Sequence, residues 1–463
     1  MTLIEVLVAM FIFSVISVGF IYGMLTVLSI TRDSRATQVA SNLASQEIDL
    51  ARATPDLFAL GTVSARPDKT INGDVFHTKV VAEWVSDIGS GLQCGTTSGG
   101  GAGAPLRYKR VDVTVTWDSM RSPSSAVHSY TIINPKERIN DPALGTILVS
   151  VTTDAGIGVQ GVTVSATPAS PANGAVALTT TPALTDLQGC SYVLKVVPGN
   201  YIVSVTKSGH LSSGSQSEDQ VATPTVNPVV VAAGKSTSQS FIYDSAARFD
   251  LTYASNSAVS GIRIPSNLDT SFLHVRGLSV SAATTSSLAR TVARFPFASG
   301  AYNIMAGKYV AAAPGDGAVP ATPGCVAVDP TAWPRVTEGA VIFGAPDPAI
   351  PGAVPGVAQP AGVAMGVFSL TGAKNRWVKA VSVDGSPRCA NTMTYTFNRL
   401  PNDAAGDAAI IALPFGSWKL YTGTDATTQV TAVSANRMIP STRGTSTPGT
   451  DVLLLDPRVP VTP

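Results

Sequence analysis

Charge is scarce in this 463-residue chain. Asp, Glu, Lys and Arg together make up 13% of it, about half the share in an average globular protein. Lys and Arg number 31 against 30 Asp and Glu, so there is no basic excess to grip a phosphate backbone, which argues against a nucleic-acid partner. Sulfur and imidazole are equally sparse. The four cysteines (Cys94, Cys190, Cys325 and Cys389) are too far apart for a CxxC metal or redox motif, and His77, His128, His210 and His274 have no partner at metal-ligand spacing. No GxSxG elbow occurs, and the Gly-rich stretch GTTSGGGAGAP after Cys94 lacks the Lys-Ser/Thr pair and following helix of a P-loop, so it reads as a flexible surface loop. Asp403 and Asp407 share one loop and Asp316 stands alone, neither in an EF-hand pattern. Trp333, Trp377 and Trp418 read as core anchors. No catalytic residue, metal or cofactor is expected.

Present in quantity are turn formers, Gly 41 and Pro 32, and hydrophobicity, with a mean hydropathy of +0.24. Much of that surplus sits in the first thirty residues. Residues 3–30 (LIEVLVAMFIFSVISVGFIYGMLTVLSI) hold one charge, Glu5. From Val6 to Ile30 the run is long enough for a helix of roughly 37 Å, which exceeds a bilayer core of about 30 Å. A signal peptide would have a basic start and a shorter apolar core. A plain membrane anchor leaves Glu5 unexplained, because a carboxylate in an apolar segment needs a partner. Farther on, Ala36, Val39, Ala40, Leu43, Ala44, Ile48 and Ala51 recur at three- and four-residue intervals, so the helix continues as an amphipathic one. Pro55 ends it, giving an element over residues 2–53 of about 78 Å.

The opening residues Met1-Thr2-Leu3-Ile4-Glu5-Val6, together with this run, resemble the mature N-terminus of a bacterial type IV pilin after removal of its leader. In that family a prepilin peptidase cuts before the first residue and methylates the new amine. The usual Phe is Met1 here, and the family's glutamate falls on Glu5. The resemblance implies that Met1 is N-methylated and that Thr2, Leu3, Ile4, Glu5 and Val6 take part in filament assembly. An amine and a carboxylate would each be costly to bury alone and compensate one another as a pair. In the family's picture Glu5 meets the amine of a neighbouring subunit and sets axial register. Many members bend the helix with a proline at position 22, where Tyr22 stands here between Gly19 and Gly23; these glycines offer local weakening instead.

Beyond the helix, residues 75–85, 108–117 and 126–134 read as strands. In the middle one Val111, Val113, Val115 and Trp117 alternate with Asp112, Thr114 and Thr116, giving a sheet with one buried face laid on the amphipathic half-helix. Its run YKRVDVTVTW resembles the sheet of the smaller, minor-type pilins. Residues 135–142 (PKERINDP) read as a linker. Six short strands between turn signals in 144–243 have the spacing of a sandwich. There, GVTVSATP and LTDLQGCSYVLKVVPGNYIVSVTKSGH resemble carboxypeptidase-regulatory-like and CnaB-like prealbumin sandwiches, without a lysine in GTILVSV for the isopeptide bond of such modules. Residues 244–463 contain further strand-like runs, interrupted over about 313–363 by Pro/Gly/Ala-rich sequence read as long loops. PGNY (198–201) and FGSWKLY (415–421) share a turn-then-aromatic pattern that hints at a second related sandwich.

The expected class is therefore α+β: a long N-terminal pilin helix packed on an antiparallel β-sheet, followed by one or two β-sandwich (Ig-like or prealbumin-like) domains. The expected divisions are 1–54 (1–30 hydrophobic, 31–54 amphipathic), 55–138 for the pilin sheet, 139–245 for the CnaB-like sandwich and 246–463 for a C-terminal β-rich domain. An even cysteine count in an extracellular chain suggests disulfides. Three connectivities exist, and pairing Cys325 with Cys389 leaves Cys94 with Cys190; unpaired buried thiols are the alternative. The leading function is a structural subunit of a type IV pilus, a homopolymer first held in the inner membrane by one span. Its partners would be other pilin subunits, the inner-membrane assembly machinery and prepilin peptidase, and it would end on the cell surface. The length favours a minor or tip subunit, while an apolar segment that must be packed in a filament favours the main one. A pilus-mounted adhesin, a secretion-system pseudopilin and a surface hydrolase are the alternatives.

Overall fold

The structure is a computed structural model that describes residues 3–54, 57, 60, 66–85, 94, 101–103, 108–120, 122, 125–134, 141–213, 220–297, 301–311, 324–346, 352–385, 387, 389–390, 392–400 and 408–461. The chain forms two compact units, one of residues 1–207 with 223–242 and the other of 208–222 with 243–463.

The first unit begins with helix α1, Leu3–Ala53. No proline interrupts it, and it passes through Gly19 and Gly23 without a break. Four antiparallel strands follow, β1 (Lys69–Ile71), β2 (Asp74–Val85), β4 (Tyr108–Trp117) and β5 (Val127–Ile133), in the order β1-β2-β4-β5. Asn72 and Gly73 join β1 to β2 with both φ angles positive, 54° and 84°, the backbone that a two-residue hairpin needs and that an Asn-Gly pair supplies. The second half of α1 lies across this sheet. Ala36, Ala40, Leu43, Ala44 and Ala51 meet Phe76, Val80, Ala82, Val111, Val113, Val115 and Trp117 in one core. Small side chains on the helix face let it approach the sheet closely, and the bulk comes from the strands.

Between β2 and β4 in the chain lies β3 (Gly101–Gly103), which corrects the reading of the Gly-rich stretch as loop alone: these residues pair antiparallel with Ser236–Ser238. Glycine lacks β propensity, so the sequence carries no local sign of this strand; the neighbouring strand's open edge recruits it. The sandwich comprises β6 (Gly145–Thr152), β7 (Thr163–Pro168), β8 (Cys190–Val196), β9 (Gly199–Thr206), β11 (Thr225–Val231) and most of β12 (Ser236–Ser245), whereas β10 (His210–Ser212) belongs to the second unit. One sheet runs β12-β6-β8 and the other β11-β9-β7. Residues 145–151 of β6 are all buried. A strand that faces its partner sheet on one side and other protein on the other must be apolar on both faces, and Leu148 packs with Trp84 of β2 and with Leu57.

In the second unit, β10 pairs with Tyr243–Ser245 of β12. Strand Ala247–Tyr253 is flanked antiparallel by Ala289–Arg294 and parallel by Ala358–Val363. Asp269–His274 lies between Gly277–Ala282 and Asn303–Ala306, and Gly366–Thr371 between Ala408–Leu413 and Met438–Pro440. A larger antiparallel sheet contains Thr394–Phe397, Trp377–Val383, Gly416–Gly423, Val452–Leu455 and Gly444–Thr447 in that order. One core joins these sheets, with Phe249, Phe272, Phe368, Tyr395 and Trp418 among its members. Two corrections concern this unit. The stretch 313–363 holds strands Val336–Glu338, Val341–Gly344 and Ala358–Val363 among its described residues; Pro360 is tolerated because its strand is the sheet edge. The run TQVTAVSA contributes only Thr431–Ala432 before a 3-10 turn. The class is α+β, one long helix followed by sandwich-like, mainly antiparallel sheets.

Candidate functional site

The exposed half of α1 is the most unusual surface of the chain. Within it, Ile4, Val8 and most large side chains from Met10 to Ile30 face outward, with Phe11, Phe13 and Phe20 at 70%, 72% and 75% exposure. An exposed apolar patch of this extent marks a surface that another apolar phase covers. By length and composition α1 is able to cross a membrane. Its polar side chains are compatible with that. The hydroxyls of Ser14, Thr26, Ser29 and Thr31 donate to Met10, Tyr22, Thr26 and Val27 carbonyl oxygens of the same helix, so they need no outside partner in lipid or between helices.

Met1 and Thr2 lie outside the described residues. Leu3, Glu5 and Val6 lie in the helix, and their side chains lie outside the description as well; Ile4 is exposed. Pro55, residues 135–140 of the linker, Asp316, Asp403 and Asp407 are also outside it.

Where the apolar run ends, α1 is pinned to the sheet by polar contacts. The Arg32 guanidinium donates through Nη2 and Nε to the Asp74 carboxylate, and the Ser119 hydroxyl donates to Asp74 Oδ1 at 2.6 Å. Arg32 first and Ser119 second hold the Asp74 carboxyl below its usual range. Farther along the helix, Glu47 receives Arg66 at 3.0 Å and Arg52 donates to the Thr131 hydroxyl. His77 on β2 stands between Asp118, 2.8 Å from Nε2, and Asp68, 2.7 Å from Nδ1. These two carboxylates, Asp118 foremost, raise its pKa by stabilising the imidazolium. Neither acid is adjacent to His77 in the sequence, Asp68 lying 9 and Asp118 41 residues away, so local spacing carries no sign of this clasp.

Lys109 is the other side chain that the sequence reading passed over. It is 2% exposed, donates to the Leu57 carbonyl at 2.8 Å and lies 5.3 Å from the centre of the Trp84 ring. The signal was available: position 109 falls in step with Val111, Val113 and Val115, so strand alternation puts it on the buried face. The Cys94 and Cys190 sulfurs are bonded to one another, 96 residues apart in sequence, and so are those of Cys325 and Cys389. Trp333 and Trp418 are buried and Trp377 half-buried. Among the described residues no group of three or more His, Cys, Asp or Glu side chains is arranged to hold a metal ion.

No protein-family model matches the chain, and no curated protein matches it. Among solved structures it is similar to the TIE protein of Bacillus anthracis, at 9% identity and a TM-score of 0.18, over 81% of this chain and 71% of that one. It is also similar to BcpA, the major pilin subunit of Bacillus cereus, at 10% identity and a TM-score of 0.17, over 69% of this chain and 95% of that one. Scores this low establish neither a shared topology nor a shared function.

Proposed function

We propose that the chain is a structural subunit of a type IV pilus, held in the membrane by the first half of α1 and then polymerised through it, with the β units outside. The observation that carries this reading is the exposed apolar helix from Ile4 to Ile30, continuous with an amphipathic half that is docked on its own sheet. One element thus has two different destinations, the chain's own head and an outside apolar phase. Burial of the exposed half between neighbouring helices would supply the cohesion, at roughly 25 cal/mol per Å² of apolar surface. Glu5 is the carboxylate that sets register against a neighbour's helix end, and prepilin peptidase and the inner-membrane assembly machinery are the partners.

The role is structural rather than catalytic in this reading. Glu5→Ala is expected to cut the yield of sheared filaments at least severalfold while the circular dichroism of the β units stays unchanged. Filaments of normal yield from that variant, imaged and identified by their main protein, would sink the assignment.

A further inference from the structure

At the root of the exposed helix a groove of about 560 Å³ opens between α1 and the β1–β2 hairpin. Leu28, Thr31, Arg32 and Arg35 line it from one face of the helix, and Ile71 and Asn72 from the hairpin. Two arginines and one acid, Asp74, belong to its lining, so the groove keeps one positive charge. That surplus is assignable. Arg32 is engaged by the buried Asp74 carboxylate, whereas Arg35 is exposed and has no ion pair or hydrogen bond among the described residues. The hairpin turn adds the exposed amide of Asn72.

The position of the groove along the helix matters as much as its charge. From Val8 to Leu28 the exposed helix is about 30 Å long, the thickness of the hydrocarbon core of a bilayer. With that stretch in a membrane, Leu28 lies at the end of the hydrocarbon. Arg32 and Arg35 then lie one to two turns beyond, at the depth of the phosphates, where arginine side chains favour anionic headgroups. Leu28 offers an acyl chain an apolar wall directly below them.

We propose that this groove binds the phosphate headgroup of an anionic phospholipid, with Arg35 as the recognising side chain, Arg32 held beside it by Asp74, and Leu28 along the acyl chain. This rests on the membrane-inserted reading of α1 and adds to it a defined lipid. A guanidinium forks onto phosphate oxygens with two parallel hydrogen bonds, and a zwitterionic headgroup would bring its own cation into a groove that is already positive.

The test uses the full chain in neutral detergent micelles doped with equal amounts of phosphatidylglycerol and phosphatidylcholine of the same acyl chains, with bound lipid counted by native mass spectrometry. The expected result is a retained phosphatidylglycerol at about fivefold preference. Arg35→Gln should abolish that preference, Arg35→Lys should keep part of it, and Arg376→Gln, an exposed charge in the other unit, should leave it intact. Unchanged near-ultraviolet circular dichroism of Arg35→Gln would attribute its loss to the site. Equal retention of the two lipids, or a preference that survives Arg35→Gln, overturns the proposal. Full displacement by glycerol phosphate would make the groove a site for free anions, and pairs of chains retaining no lipid would make it a contact between copies; either result overturns it as well. A chain that leaves the micelle and stays monomeric in buffer would instead overturn the membrane reading.

Discussion

At the scale of single residues, the polar groups on the helix-bearing sheet are placed to tie elements together. His77 is the clearest case for pH. Its folded pKa is raised by Asp118 and Asp68, above the unfolded value of about 6.5, so its contribution is complete below about pH 6.5 and fades as pH rises through the folded value. All three groups are exposed, which limits the effect to about 1 kcal/mol or less. The wild type should therefore hold its largest melting-temperature advantage over His77→Gln between about pH 5 and 6.5, and the gap should narrow toward alkaline pH. A gap between the two proteins that stays constant from about pH 5 to alkaline pH would exclude the clasp. A second residue-scale device recurs in both units. After Gly199 and Gly416, at φ 152° and 130°, a buried aromatic two residues on bonds to a carbonyl four residues behind it. Tyr201 Oη donates to Val197 O at 2.9 Å, and Trp418 Nε1 donates to Pro414 O at 2.8 Å. The PGNY and FGSWKLY patterns are thus alike in hydrogen bonding as well as in letters.

At the scale of elements, α1 and its sheet meet over a seam that depends on small residues. Ala40 and Ala44 are completely buried against the strands. Ala40→Leu is expected to cost about 1–3 kcal/mol by overpacking, read by chemical unfolding of the solubilised chain, whereas Gln38→Leu on the exposed face should change little. Equal effects of the two would mean the seam is loose. The helix, its apolar-to-amphipathic change, and strands β2, β4 and β5 are legible in the sequence because each carries its own period of 3.6 or 2. What was not legible depends on pairing at a distance. The Arg32–Asp74 contact joins positions 42 residues apart, and Gly101–Gly103 becomes a strand only because Ser236–Ser238 offers an edge. Strand Ala358–Val363 is hidden for the same reason, since it is paired in parallel with a strand more than a hundred residues earlier. Lys109 was legible from alternation, but a lysine's usual place at the surface masked it.

At the scale of the whole molecule, the proposed role has the two halves of α1 divide solubility from assembly. A chain lacking residues 1–30 is expected to remain folded and monomeric without detergent, by gel filtration and circular dichroism, whereas the full chain should require micelles or self-associate. A full chain that is monomeric in plain buffer would contradict the role given to the exposed helix. The docking of α1 has a mechanical consequence. Among the described residues the helix meets its sheet only from Arg32 onward, so in a rod of such subunits tension would pass from helix to helix along the axis, with the β units hanging beside the load path. Their size would then be free of any demand on tensile strength. A head far larger than the rod requires would burden the filament with drag in flow, but not with weakness under pull.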